Sequence, residues 1–203
     1  MNEVFSNLIV KLHFTGKIET DAINLLQEYD CGNIADHSRK VAAEARRLAG
    51  RCGANEQQAV IAGYLHDIGG IIPDAEKIAA CNKLGIDILA AEHLVPALLH
   101  GKISRLMAAE IFNIKDPAIL SAIECHSTLK ANATLADMIL FVADKLQWDP
   151  AHNAGFITDI KAALEVSVAA GAFAYLRYLY DNRQQLKAYH PWAFEAYRDL
   201  QGK

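Results

Sequence analysis

Apolar residues recur at helical spacing along most of the chain, and no run of five or more positions alternates as a strand would. Val41, Ala45 and Leu48 share one face of a helix predicted from Asp36, its cap, to about Gly53. Asn55 caps the next, with Glu56 in its first turn and Ile61, Leu65 and Ile68 as the buried stripe. Pro73-Asp74 opens a third helix, and a fourth lies within 96–113. Asp116-Pro117 starts a fifth with Pro at the first helical position. Thr134 caps a sixth, which carries Met138 and Phe141; a long helix is predicted over about 156–183, and Pro191 opens the last. The first 30 residues supply one or two more. The expected architecture is a single compact all-α domain. It has an N-terminal helical extension over 1–30, a core over 31–150 and C-terminal helices over 151–203 packed on that core.

Composition narrows the partners. Of 203 residues, 52% are apolar, enough for a sizeable core, and the formal net charge is -4 with no Lys/Arg-rich run. A binder of long nucleic acid needs a basic face, so that class is set aside. A small phosphorylated substrate is not, because a metal site brings its own positive charge. The start has an acidic Glu3 and no long apolar segment, and no run of 18 apolar residues occurs. The expectation is a cytoplasmic protein with no membrane partner. Cys31, Cys52, Cys81 and Cys125 are scattered with no C-x-x-C pair, which points to reduced, buried thiols rather than structural zinc.

The chemistry lies in the histidines. His66 follows Leu65 at the end of its helix, and Asp67 comes next. His100 ends the run LVPALL, with Ile103 and Met107 three and seven residues on. His126 falls three residues after Ile123, and Asp144 three after Phe141; His37 opens the helix from Asp36. An ionisable side chain on an inward face is costly unless paired or bound to metal, and one shared polar centre satisfies all six. Imidazole with carboxylate is the ligand set of iron, manganese, cobalt or zinc. Adjacent helical residues point about 100° apart, so His66 and Asp67 reach one centre only near a helix end, which Gly69-Gly70 marks. A carboxylate has two oxygens, so Asp67 can bridge two ions about 3.5–4 Å apart, a pair that polarises a phosphoryl group and lowers the pKa of a water.

His37, His66-Asp67 and Asp144 in this order resemble the HD phosphohydrolase superfamily, and His100 and His126 resemble its two-metal branch. Within it the chain is similar to the YqeK family. The matching stretches are Asp36-His37-Ser38, Leu65-His66-Asp67-Ile68, Leu98-Leu99-His100-Gly101, His126-Ser127-Thr128, Ile139 to Lys145, and His190-Pro191. The resemblance implies symmetrical cleavage of diadenosine tetraphosphate to two ADP, with water as nucleophile. It implies that His37, His66, Asp67 and Asp144 hold one metal. Asp67 also faces a second, which His100 and His126 complete. It implies iron first, in divalent or mixed-valence form, with manganese, cobalt, nickel or zinc also compatible.

Three features depart from that family: Gly70 stands where relatives carry Lys, His126-Ser127-Thr128-Leu129-Lys130 stands where they read His-Thr-Thr-Gly-Arg/Lys, and no Arg occurs from Lys145 to Leu176, where relatives often carry one after the Ala-Asp segment. Lys102, Lys130 and Lys145, with Ser127 and Thr128, are the substrate-binding candidates. His93 reads as a surface residue and His190 as the end of a turn. Tyr175, Tyr178 and Leu179 read as core packing or a homodimer face, and Trp148 as a lid or nucleobase contact. Three functions compete: a dinucleoside-polyphosphate hydrolase, an HD-type phosphomonoesterase or phosphodiesterase on another nucleotide, and a metal- and nucleotide-binding regulatory module.

Overall fold

Local capping sets most of the helix starts. Asn2 caps α1 (Glu3–Leu8), and α2 (Ile18–Glu28) follows. α3 (Gly32–Cys52) is the longest helix and ends at Gly53, whose φ of +67° gives a left-handed cap. Asn55 accepts the Gln58 N–H at the head of α4 (Glu56–Leu65). A 3-10 turn (Ile68–Ile71) leads to α5 (Asp74–Leu84), then α6 (Ala90–Leu94) and a second 3-10 turn (Pro96–Leu99) that runs into α7 (His100–Glu110). Asp116 caps α8 (Pro117–Cys125) with Pro at its start, and Thr134 closes a capping box with Asp137 on α9 (Leu135–Gln147). α10 (Ala154–Leu164), α11 (Val168–Asp181) and α12 (Pro191–Gln201) complete the chain. This structure, a computed structural model, describes residues 2–148 and 154–202. His152 and the expected boundary at 150/151 lie outside the described residues.

The all-α architecture holds, and among the described residues no strand forms. Three expectations about elements are corrected. α3 begins at Gly32, and the Asp36 carboxylate pairs with Arg39 inside it rather than capping it. The helix predicted over 156–183 is two helices, because Ser167 accepts the Ala170 N–H and starts α11 afresh. The fourth predicted helix divides into the turn at Pro96–Leu99 and α7. Among the cysteines, Cys81 and Cys125 are buried, but Cys52 is exposed; all four are free thiols.

The centre of the molecule is α3 against α4 and α9, with α8 packed on α7, α4 and α9. α11 packs on α9, α10 and α12. Leu25, Leu48, Leu65, Ile103, Ile123 and Phe141 are among the large side chains sealed in the core. Each contributes about 1.5–3 kcal/mol by burial. α3 and α4 meet at Gly63, where a Cβ would lie 2.5 Å from the Ala42 Cα. Only glycine permits that approach, and it brings the end of α4, with His66, against α3. No helix among the described residues is long and apolar enough to cross a membrane.

Candidate metal centre

His66 and His126 sit one residue beyond their helices, and His100 sits where a 3-10 turn passes into α7. The last carbonyls of a helix lack intrahelical partners. The His66 and His126 imidazoles each use one of them, and His100 bonds a carbonyl of its 3-10 turn that also accepts its own backbone N–H. Nδ1 of His66 donates to the Gly63 carbonyl at 2.7 Å, that of His100 to Ala97 at 2.6 Å, and that of His126 to Ile123 at 2.7 Å. The Nδ1 proton is thereby committed, and the tautomer is set so that Nε2 points into the centre.

Those nitrogens converge on Asp67. Nε2 of His100 and of His126 lie 3.1 and 3.2 Å from its Oδ1, and Nε2 of His66 lies 3.3 Å from its Oδ2. His37, from the second turn of α3, reaches Oδ1 of Asp144 on α9 at 2.9 Å and Oδ2 of Asp67 at 3.8 Å. Two groups of three donors result, His37–His66–Asp67 and Asp67–His100–His126. Within each, the ligand atoms lie within 4.8 Å of one another, and Asp67 belongs to both.

The residues fit a pair of metal ions on electrostatic grounds. Nε2 of His100 and Nε2 of His126 face each other at 2.9 Å, each with its Nδ1 proton already committed. Burial pushes His126 down to about 4, so near pH 7 its Nε2 is a bare lone pair. Two electron-rich nitrogens and a carboxylate oxygen at these separations repel unless a cation lies among them. Nε2 of His66 and Oδ1 of Asp67 are buried with no hydrogen-bond partner, the signature of groups that need one.

Asp144 is buried, which favours its neutral acid. The Lys145 ammonium and His37 outweigh burial and hold it well below the usual carboxylate range. Lys145 is itself 2% exposed and lies about 5.3–5.6 Å from the ring centres of Phe141, Trp148 and Tyr175. Asp67 is also held low, because the surrounding imidazoles outweigh burial.

The centre forms the floor of a cavity of about 420 Å³. Ser127, Thr128 and Lys145 line it. The Ser127 hydroxyl lies 3.2 and 3.1 Å from Nε2 of His100 and His126. The structure does not bring Lys102 and Lys130 to the cavity. Lys102 is buried against Glu92 at 2.8 Å and the Asp87 carbonyl at 2.7 Å, and Lys130 donates to Ser121 at 2.7 Å. Their ammonium groups are taken up by partners that sequence spacing does not reveal. Trp148, Tyr175 and Leu179 line the cavity, so the last two do more than pack the core, whereas Tyr178 is exposed away from it. His93 is exposed, as expected. His190 caps α12 and also lines the cavity. Lys187 and Tyr189 line it too; they lie in a segment without periodicity or motif, and sequence reasoning missed them.

Comparison with known proteins agrees with this arrangement. A family model described as HD domain matches residues 34–149, which contain all six converging side chains. The "uncharacterized protein in pepC 5′ region" of Lactococcus lactis subsp. cremoris is 41% identical over 149 residues, 73% of this chain and 75% of the relative. The symmetrical bis(5′-nucleosyl)-tetraphosphatase of Bacillus subtilis (strain 168) is 30% identical over 113 residues, 55% of this chain and 59% of the relative. A crystal structure of a predicted HD superfamily hydrolase involved in NAD metabolism, from Clostridium acetobutylicum, superposes with a TM-score of 0.81. It is 23% identical, covers 90% of this chain and 96% of its own, and shares the fold. The match over more than half of the sequence, on the stretch that carries the clustered histidines and aspartates, shows that the chain belongs to the HD domain family of hydrolases.

Proposed function

We propose that the protein hydrolyses a nucleotide at a phosphoric anhydride with water as the nucleophile, and that diadenosine tetraphosphate, cut symmetrically to two ADP, is its first substrate. The observation that carries this reading is the sharing of Asp67 by two donor triads at the floor of one cavity. His37, His66, Asp67 and Asp144 would hold one ion; Asp67, His100 and His126 would hold the other. A bound pair of ions supplies the Lewis acidity that activates water and a phosphoryl group. Iron is the first choice of metal, with manganese, cobalt, nickel or zinc also suited to the donors.

The protein's own groups orient the reaction. The Gly63, Ala97 and Ile123 carbonyls keep three imidazoles in the ligating tautomer. Lys145 holds the Asp144 carboxylate ionised and aimed inward. Ser127 is placed to hydrogen-bond a phosphoryl oxygen, with Thr128 beside it on the wall. Cys125 is buried, and burial pushes its thiol far up, so it offers no nucleophile. Trp148 and Tyr175 give the wall flat apolar surfaces suited to a nucleobase. The named activity of the Bacillus subtilis relative supports the choice of substrate.

A second reading is favoured by the pairing of Lys102, Lys130 and Lys145 and by Gly70, which leave few cations for a phosphate chain. It is a hydrolase of a nucleoside phosphomonoester or phosphodiester, or a nucleotide-binding module with little turnover. Chromatography of products from a nucleotide panel, with iron- or manganese-loaded protein, separates them. ADP alone from diadenosine tetraphosphate supports the first. Orthophosphate from a nucleoside monophosphate, with the tetraphosphate intact, supports the phosphomonoesterase. Tight binding with no product supports the module.

A further inference from the structure

The cavity lining comes from two parts of the chain. All six converging donors lie within residues 34–149, the stretch matched by the HD model. α11 and the segment after it add Tyr175, Leu179, Leu186, Lys187, Tyr189 and His190 to the lining, none of which lies in that stretch. The donors and part of the cavity lining thus come from the matched stretch, and the rest of the lining comes from the C-terminal part of the chain.

A phosphate chain carries negative charge beyond the phosphoryl group at the donors, and that charge calls for a cation. Two lysines line the cavity. Lys145 is spent, its ammonium bonded to the Asp144 carboxylate and 3.4 Å from the His126 carbonyl. Lys187 is exposed and makes no hydrogen bond or ion pair among the described residues. Its charge is uncommitted.

The backbone that carries Lys187 is fixed in place nearby. His190 is 5% exposed; its Nδ1 accepts the Trp192 N–H at 3.2 Å, and its Nε2 lies 3.5 Å from Oε1 of Glu92. Glu92, buried in turn, accepts the Leu89 N–H at 2.7 Å and the Lys102 ammonium at 2.8 Å. Lys102 also lies 5.2 Å from the Trp192 ring centre. A buried ion pair contributes little net stability compared with apolar packing; its use is to define geometry. Here it joins the start of α12 to α6 and α7, and so sets the segment before α12 against the cavity.

We propose that Lys187 is the contact for the substrate's distal phosphate and sets the preference for phosphate-chain substrates, with the His190–Glu92–Lys102 cluster positioning it. The proposal rests on the phosphohydrolase reading for its substrate class. Metal-loaded wild type, Lys187→Met and Lys187→Arg are compared on diadenosine tetraphosphate and on p-nitrophenyl phosphate, whose leaving group carries no phosphate. Loss of a charge-assisted hydrogen bond corresponds to about tenfold or more in affinity. Lys187→Met is expected to raise KM for the tetraphosphate about tenfold, with kcat and metal content little changed. KM for p-nitrophenyl phosphate should move less than about twofold, and Lys187→Arg should restore most of the loss. His190→Asn, which keeps a capping side chain, should raise KM for the tetraphosphate and spare p-nitrophenyl phosphate.

Calorimetric binding of ADP to the same metal-loaded proteins keeps the two readings apart. Turnover with unchanged KM in Lys187→Met overturns the role of Lys187 and leaves the hydrolase reading standing. Absent turnover with ADP binding weakened about tenfold by Lys187→Met does the reverse. ADP binding that is absent in wild type, or equal in wild type and Lys187→Met, overturns the proposal.

Discussion

Nδ1 of His66 donates to the carbonyl of Gly63, 2.7 Å away, and Gly63 is also where α4 touches the backbone of α3 at Ala42. One residue thus sets both a helix contact and the orientation of a ligand. A Cβ at position 63 would meet backbone atoms of Ala42 at 2.5 and 2.8 Å, so the helices must separate to admit it. Gly63→Ala is predicted to destabilise the protein by about 1–3 kcal/mol, as overpacking does. It should also weaken metal binding by moving the His66 ring. Denaturant unfolding and metal titration check this; unchanged metal affinity would mean that the ring is placed by other contacts.

Lys145→Met is predicted to act mainly on the metal-free protein. Removal of the ammonium leaves Asp144 buried beside no lysine, a loss of about 3–5 kcal/mol when a buried pair is broken. Bound metal would restore a positive neighbour. Melting temperatures with and without manganese are the readout, and the variant should gain more from metal than wild type does. An equal gain would contradict the pairing as the source of the effect.

Metal affinity is predicted to fall as pH drops, with His66 as the competing group. Burial would lower His66, but Asp67 and Asp144 outweigh it and hold it above the ordinary imidazole range. A group with a raised pKa carries its proton below that value, so metal must displace the proton there and meets none well above it. His126, pushed down to about 4, has no such proton to release near neutrality. Calorimetry in buffers of different ionisation enthalpy should show more protons released per metal at about pH 6 than at about pH 9. Equal release would contradict the raised state of His66.

Gly70→Lys is predicted to fold. The atom that a Cβ at position 70 would crowd is the terminal Cδ1 of Ile34, at 2.7 Å, and a rotamer change of that side chain makes room. The cost should stay near about 1 kcal/mol. Because the added ammonium supplies a further cation for the phosphate chain, KM for diadenosine tetraphosphate should fall. An unchanged KM would mean that this cavity holds the phosphate chain elsewhere.

The donors were legible because six ionisable residues on otherwise apolar helical faces need a common explanation, and the caps at Asn55, Asp116 and Thr134 marked helix starts directly. The break between α10 and α11 was not legible. Val166 continues the apolar pattern yet is 83% exposed, and only the turn reveals Ser167 as a cap. The fate of the lysines was equally hidden. Lys102 finds Glu92 ten residues away and Lys130 finds Ser121 nine away, pairings that depend on how helices meet. Lys187 gave no signal because its role depends on where α12 begins relative to a cavity built by other helices.

The central claim is that Asp67 is shared by two ions, and counting metal per chain tests it most directly. Wild type, His66→Ala and Asp67→Ala would be loaded with manganese or iron, freed of excess and measured by elemental analysis, with circular dichroism as the control on folding. Two ions per chain in wild type, and loss of both in Asp67→Ala at unchanged helical content, is the predicted result. Retention of both ions by Asp67→Ala would contradict it.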